Sequence, residues 1–330
     1  MIVSRSPYRI SFFGGGTDYE DWFSDNGGSF LSMAINYYTY ITLRIKPSLM
    51  KKEFRILWRL AEEVDSIDQI KHPIVRETLK LYNYDKGLDI SYIGDLPGGS
   101  GMGSSSAFTA ALVKSLYEDM KKDINPYELA KISYEIEKNK LNETVGIQDQ
   151  IATSFGGFNS VDINKDGTYQ ISPVNLSTLG LKSFMDRLIL VNTGQTRRAS
   201  EIATKQIENI KNKKNEYLIL QNMVAAAKNY LSNNEIDKFG LLMHEAWDIK
   251  RNLSSAVSNK NINDLYDFGI KNGVLGGKIL GAGGGGFLLF VCKEGIRDNL
   301  VGKLNLNNIK VFPFNISTTG TKIIYSEEPR

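Results

Sequence analysis

Residues Asp95 to Val113 read DLPGGSGMGSSSAFTAALV. Gly98, Gly99, Gly101 and Gly103 lead into Ser104, Ser105 and Ser106, and then into apolar residues at helical spacing. The preceding GLDISYIG has the character of a strand, so the glycines fall in a strand-to-helix turn. Ser104 to Ser106 are candidates for the helix N-cap. A turn of this kind aims several backbone N–H groups at one point, and the helix dipole adds partial positive charge there. A phosphate chain suits that geometry. A tight connection with no ligand would use the same glycines, but three adjacent hydroxyls favour phosphate and a divalent cation. The best-known glycine patterns do not fit. A Walker A loop reads G-x-x-x-x-G-K-[ST], and its lysine is missing here. In a G-x-G-x-x-G reading begun at Gly99, Ser104 stands where the last glycine belongs.

The chain around this turn reads as a scaffold. IVSRSPYRISFFGG and FLSMAINYYTYITLRIKP predict two strands, joined by the glycine-bracketed loop GGGTDYEDWFSDNGG. SAFTAALVKSLYEDM and NPYELAKISYEIEKNKL predict helices, the second opened by Asn125 and Pro126. GIQDQIATSFGGFNSVDI passes from a helical start through a glycine turn to a strand. After Gly167, RLILVNTG predicts a buried strand and RRASEIATKQIENIKNKKNEYLILQNMVAAAKNYL a long helical stretch. IDKFGLLMHEAWDIKRNL and NINDLYDFGIKNG predict further helices. GKILGAGGGGFLLFVC predicts a glycine turn with a strand, and NIKVFPFNISTTGTKII the last strands. The change of character falls within 165–185, so two domains are expected, 1–175 and 176–330.

Composition narrows the function. The 330 residues are 42% hydrophobic, enough for a sizeable core. The 40 Lys and Arg are mixed with 37 Asp and Glu, with no basic arm, which argues against nucleic acid as a partner. The single cysteine, Cys292, excludes an internal disulfide and a cysteine-rich zinc site. His72 and His244 have no metal-ligand partner at useful spacing, so structural roles are expected. MIVSRSPYRISFF lacks an apolar leader core, and no apolar run is long enough for a bilayer, so a cytoplasmic protein without a membrane partner is expected.

LPGGSGMGSSSAF resembles the phosphate-binding motif of the GHMP small-molecule kinases, roughly P-x-x-x-G-[LM]-[GS]-S-S-A. Three further stretches, with it spanning residues 9–291, carry the same resemblance. RISFFGGGTDY (Arg9 to Tyr19) is similar to the sugar-binding motif of the galactokinase branch. GIQDQ (Gly146 to Gln150) is similar to the segment around that branch's catalytic aspartate. KILGAGGGGFLLFV (Lys278 to Val291) resembles the family's C-terminal glycine motif. In FFGGGTDYEDW, SMAINYYTYIT, GIQDQIATSFGGFN and GAGGGGF the chain resembles the branch that acts on D-glycero-D-manno-heptose 7-phosphate.

The resemblance implies an α+β, two-domain fold. The N-terminal domain would hold a mixed sheet with helices, the C-terminal domain an antiparallel sheet with helices, and the cleft between them the active site. It implies transfer of the γ-phosphate of ATP, with Mg²⁺, to the anomeric C1 hydroxyl of the heptose 7-phosphate. The 1,7-bisphosphate would feed nucleotide-activated heptose for surface polysaccharide. A kinase for a free sugar such as fucose or another hexose, and a non-catalytic sugar or nucleotide sensor, stay open, as does a homo-oligomer.

The same resemblance distributes the roles. Asp149 is the expected base and Arg9 its neighbour, either tuning the base or stabilising transition-state charge. Gly98, Gly99, Ser100, Gly101, Met102, Gly103, Ser104, Ser105 and Ser106 are expected to hold the triphosphate. Ser105 and Glu137 are the expected Mg²⁺ ligands, with Glu135 and Glu143 as competitors for Glu137 and with Ser104 and Ser106 able to exchange roles with Ser105. Gly16, Thr17, Asp18 and Tyr19 are expected to contact sugar. Galactokinases carry Glu-His where this chain has Gly15 and Gly16, which removes an acid and leaves room for a larger sugar. Arg197 and Arg198, before a helix start, are expected to anchor a substrate phosphate, with Lys250 and Arg251 as weaker candidates. Gly281, Gly283, Gly284 and Gly285 are expected to build a tight turn against the phosphate loop.

Overall fold

The computed structural model describes residues 1–47, 53–195 and 199–327. Its first sheet is built from β1 (Ile2–Phe13), β2 (Gly28–Ile45), β3 (Phe54–Leu57), β4 (Ala61–Val64), β5 (Leu88–Gly94), β6 (Phe158–Ile163) and β7 (Tyr169–Pro173). A second, antiparallel sheet holds β8 (Leu188–Asn192), β9 (Val274–Ile279), β10 (Phe287–Cys292) and β11 (Val311–Phe312), in the order β11-β8-β10-β9. The remaining strand, β12 (Lys322–Ser326), returns to the first sheet and pairs with β1. The expected α+β architecture, a mixed sheet followed by an antiparallel one, is what the structure has.

The long strand β2 organises the first sheet. Along one edge it pairs with β1. Along the other, Gly28–Met33 pair with β6, and Thr39–Ile45 pair with β5. The sheet therefore forks at β2. One branch runs β5-β3-β4, where β3 lies parallel to β5; the other runs β6-β7. Burial follows the fork. The first half of β2 is covered on both faces, and its second half alternates as a half-exposed strand does.

Five helices follow the first-sheet strands: α1 (Glu20–Asn26), α2 (Pro73–Leu81), α3 (Ser104–Asp119), α4 (Pro126–Glu135) and α5 (Gln148–Phe155). α4 begins as its sequence predicts. Asn125 Oδ1 accepts from Glu128 N, and the Glu128 side chain closes a capping box. α3 is apolar nearly all round, with Ala107 and Ala110 to Val113 buried, as expected for a helix enclosed by protein. Ser4 of β1 fixes its height by donating to Ala111 O at 2.8 Å. The segment read from sequence as a plain loop after Gly16 contains α1, a short helix that buries Trp22 and Phe23.

Six helices come later: α6 (Thr178–Met185), α7 (Ala199–Glu208), α8 (Lys214–Ser232), α9 (Ile236–Arg251), α10 (Lys260–Lys271) and α11 (Arg297–Leu306). The helical stretch expected after Gly194 is two helices, α7 and α8, with a 3₁₀ turn at Lys211–Lys213 between them. A single core joins the two sheets. Phe12 of β1, Phe158 of β6, Phe184 of α6 and Phe239 of α9 stack and cross at 5.2–5.7 Å between ring centres. α9 buries Phe239, Met243 and Ala246 in this core and Trp247 in the adjoining one under the second sheet. Its last turn thereby ends at the cleft between the sheets.

Candidate active site

The cleft has a volume of about 630 Å³ and collects residues from all four stretches that carry the family resemblance. Its floor is the glycine turn of residues 98–103. Gly103 is the N-cap of α3, in the left-handed conformation (φ 74°), and no side chain caps the first helical turn. The serines expected as N-caps instead occupy the first turn itself. An uncapped helix start with its N–H groups toward a cleft is a ready anion site. Gly98, Gly99, Gly101, Gly103, Ser104, Ser105 and Ser106 line the cleft. Ser100 and Met102 do not; both are buried beneath the turn, where Met102 O accepts the Arg9 backbone N–H at 3.0 Å.

Arg9 on β1 ties this floor to the carboxylate of Asp149, in the first turn of α5. Nε and Nη2 of Arg9 lie 2.7 and 2.6 Å from Asp149 Oδ1, and Nη1 donates to Gly101 O at 2.6 Å. The Arg9 side chain is 5% exposed and that of Asp149 29%. Asp149 also packs on Gly103, where an added Cβ would stand 3.4 Å from Oδ2. The carboxylate is thus held open to the cleft at the edge of the glycine turn.

Glu137 lies in a single π-helical turn, Ile136–Lys140, that continues α4. π-Bulges often mark functional sites. Its carboxylate is completely buried as a side chain and meets three neutral donors. Ser106 Oγ and Gln150 Nε2 bind Oε2 at 2.8 and 2.6 Å, and Thr109 Oγ1 binds Oε1 at 2.7 Å. Burial pushes its pKa up to about 7, against those hydrogen bonds. The carboxylate has no cationic side-chain partner among the described residues, and it lines the cleft beside the glycine turn. A buried acid with neutral partners, next to a glycine turn and an open helix start, fits a place for Mg²⁺. Such ions take one or two protein oxygens and complete their shell from phosphates and water. Ser106, and not Ser105, is the serine that reaches Glu137; Ser105 is exposed on the neighbouring face of the helix. Of the competitors, Glu143 lines the cleft but is only half-buried, and Glu135 does not line it.

Gly16, Asp18 and Tyr19 also line the cleft, whereas Thr17 does not. Thr17 is fully buried, with Oγ1 2.8 Å from the carbonyl oxygens of both Gly14 and Ser29, and it holds the loop closed. Asp18 accepts from the backbone N–H of Gly16 (2.9 Å) and of Gln148 (3.2 Å), which fastens the loop to the start of α5. Burial, then the charge of Asp149, raises its pKa. The room expected at Gly15 and Gly16 is at Gly15 alone. A Cβ on Gly16 (φ 100°) would stand 2.6 Å from the Tyr217 ring, while a Cβ on Gly15 meets nothing nearer than Ser11 Oγ at 3.6 Å. Gly16 is glycine because α8 presses on the loop.

The second glycine motif closes the cleft from the opposite side. A Cβ on Gly281 would stand 2.8 Å from Gly101 Cα, and one on Gly101 would stand 2.5 Å from Leu280 O; both residues have positive φ. Gly283, Gly284 and Gly285 face Val257 and Gln195 and shape the turn without lining the cleft. Gly281→Ala is expected to cost well over ~1 kcal/mol of stability, because it adds both strain and a backbone clash. Urea unfolding alongside the KM for ATP checks this, and both should worsen.

Sequence left Gln206 of α7 unmentioned; its Nε2 donates to Ala282 O at 2.7 Å and it lines the cleft beside Ala203. Lys250, at the end of α9, lines it as well, while Arg251 pairs with Asp248 at 2.8 Å outside it. Arg197 and Arg198 lie outside the described residues. His72 caps α2, accepting from Val75 N, and His244 Nδ1 lies 2.6 Å from Tyr266 OH, both structural contacts.

Residues 69–157 match the family model for the GHMP kinases N-terminal domain, and residues 223–309 match that for the GHMP kinases C-terminal region, together more than half of the chain. The chain belongs to the GHMP kinase family. Among GHMP kinases and their relatives, it is 28% identical to the D-glycero-alpha-D-manno-heptose 7-phosphate kinase of Campylobacter jejuni, over 97% of this chain and 98% of that one. It is 25% identical to a galactokinase of Clostridium beijerinckii, over 92% and 88%. Its fold superposes on the crystal structure of a D-glycero-D-manno-heptose 1-phosphate kinase from Bacteroides thetaiotaomicron with a TM-score of 0.79, at 23% identity over 99% and 100% of the two chains. The GHMP kinase fold, with its two sheets and their helices, is shared. Among the described residues, no helix is long and apolar enough to cross a membrane.

Proposed function

We propose that this GHMP kinase transfers the γ-phosphate of ATP to the anomeric C1 hydroxyl of D-glycero-D-manno-heptose 7-phosphate, in the cytoplasm. The observation that carries a transfer reaction is the Arg9–Asp149 pair beside the phosphate loop, with Arg9 bound to Asp149 at 2.6 Å and to Gly101 O at 2.6 Å. The 28% identity to a heptose 7-phosphate kinase over nearly both full lengths supports the choice of sugar. The open space at Gly15 supports an acceptor bulkier at that position than galactose. The proposed product would feed nucleotide-activated heptose for surface polysaccharide.

In this reading the glycine turn and the first turn of α3 bind the triphosphate through backbone N–H groups. Glu137 and Ser106 would hold Mg²⁺, which neutralises phosphate charge when bound. Asp149 accepts the C1 hydroxyl proton as the new O–P bond forms and the bond to the bridging oxygen of ADP breaks. Arg9 aims the Asp149 carboxylate through its two contacts to Oδ1. Asp18 and Tyr19 contact the sugar from a loop that Thr17 keeps closed. The sugar's own phosphate would be anchored by Arg197 and Arg198, just before α7, whose Ala203 and Gln206 line the cleft. The two proposed domains, 1–175 and 176–330, would supply opposite walls, with β12 crossing back.

Incubation with ATP, Mg²⁺ and the heptose 7-phosphate is expected to yield ADP and the 1,7-bisphosphate, read by phosphorus NMR. Turnover of fucose, galactose or mannose without turnover of the 7-phosphate would replace the substrate assignment with a free-sugar kinase. No turnover of any sugar would favour a sensor.

A further inference from the structure

The cleft contains a cation that the roles above leave unused. Lys250 ends α9 and is 7% exposed. Its Nζ donates to Gly281 O at 2.6 Å and lies 3.4 Å from Ile279 O. No carboxylate pairs with it among the described residues. An ammonium has three N–H donors, and two carbonyls leave one for the space it lines.

A desolvated cation with no carboxylate in direct contact is costly, so its persistence calls for an anion that arrives with a ligand. The other charges nearby are committed. Arg9 is bound to Asp149 and Gly101 O. Asp18 acts on Lys250 electrostatically, yet both its oxygens already accept backbone N–H groups. Arg59 lies at 4.9 Å over the Trp58 ring. Lys278, the second buried lysine, donates to Phe12 O at 3.0 Å and does not line the cleft. Burial, and after it the charges of Lys250 and Arg9, hold its pKa well below the lysine range. Burial likewise lowers Lys250, but only to about 8, so it remains mostly charged at neutral pH.

The position of Lys250 selects among anions. Gly281, whose carbonyl holds the ammonium, touches Gly101 of the phosphate loop. Gly101 O in turn accepts from Arg9, the partner of the base. Lys250 therefore stands across from the glycine turn, on the side of the proposed base. The triphosphate must end there for transfer to occur. Resting on the kinase reading above, we propose that Lys250 is a catalytic residue whose free N–H binds a non-bridging oxygen of the transferred γ-phosphoryl group. The cation that a Walker A loop takes from its own helix would here come from the opposite half of the molecule. It would be carried on the glycine turn, and it would stabilise charge as the bond to ADP breaks.

The test uses Lys250→Met, which keeps the length of the side chain, and Lys250→Gln, which keeps a neutral donor for Gly281 O. Affinities for ADP and for the non-hydrolysable analogue AMPPNP are measured by calorimetry with Mg²⁺, together with steady-state turnover. For both variants, ADP affinity should stay as in the wild type, and AMPPNP affinity should fall by about tenfold or more, the worth of a charged hydrogen bond. The kcat should fall by about 10²-fold. Retained ADP binding also shows that the variants are folded. Unchanged AMPPNP affinity with unchanged kcat would overturn the assignment. So would a parallel loss of ADP and AMPPNP affinity, which would put Lys250 on the β-phosphate, or a rise confined to the sugar KM, which would put it on the acceptor. A wild type that turns over no sugar would remove the kinase reading, while the nucleotide comparison would still judge Lys250.

Discussion

Asp149→Asn is expected to lower kcat by about 10²–10⁴-fold, the usual worth of a positioned general base, with little change in KM for ATP. The amide keeps the size of the carboxylate and an oxygen for Arg9, but it cannot take up the acceptor proton. The substitution also leaves the guanidinium of Arg9, 5% exposed, without a counter-charge. Stability should therefore fall as well, though by less than the ~3–5 kcal/mol of a fully buried pair, because Asp149 is 29% exposed. Rapid-quench turnover and urea unfolding read the two effects separately. Full turnover by the variant would remove Asp149 from the mechanism. Arg9→Met then separates the two roles left open for Arg9. A kcat loss confined to low pH identifies tuning of the base; a uniform loss at all pH values identifies stabilisation of transition-state charge.

Glu137→Gln is expected to cost roughly 10³-fold in kcat/KM, since a metal in such a site contributes several kcal/mol. Extra Mg²⁺ should not restore it. Stability should move the other way. Glu137 has a pKa of about 7 in the folded protein against an ordinary 4.5, so the folded state holds that proton more tightly than the unfolded chain. Stability then falls as pH rises from about 4.5 to about 7 and is flat above. The sign follows because the folded state binds more protons across that window. Glutamine removes this fall. Without divalent ions at pH 8, the variant should exceed the wild type by something on the order of 3 kcal/mol, and at pH 4.5 the gain should vanish. Urea melts at the two pH values check it. A variant less stable than the wild type at pH 8 would mean that the ionised carboxylate is already compensated without metal.

The parts of this molecule that local chemistry dictates were legible in sequence. The glycine turn that opens α3, the capped start of α4 and the strands around the glycine motifs each follow from residues within a few positions of one another. What could not be read depended on partners far along the chain. Gly16 looked like added room for a sugar, but Tyr217, some two hundred residues later, fills that space. Three consecutive serines are equivalent in a string. On a helix they point about 100° apart, and only Ser106 turns toward Glu137. Thr17 belonged to a motif associated with sugar contacts, yet its hydroxyl is spent on Gly14 and Ser29. Lys250 sat in a polar run that read as weak evidence. Its importance comes from the glycine turn on which its ammonium rests.

The return of β12 to β1 bears on how the protein is made. Met1 N donates to Glu327 O, 326 residues away, and Ile2 is in register with Ser326. While a ribosome is still adding the intervening residues, β1, the strand that carries Arg9, has one edge without its native partner. Such an unpaired edge is a template for wrong pairing, and contacts of such long sequence separation form late. Nascent chains should therefore gain a complete phosphate-transfer cleft only after the second sheet has been synthesised.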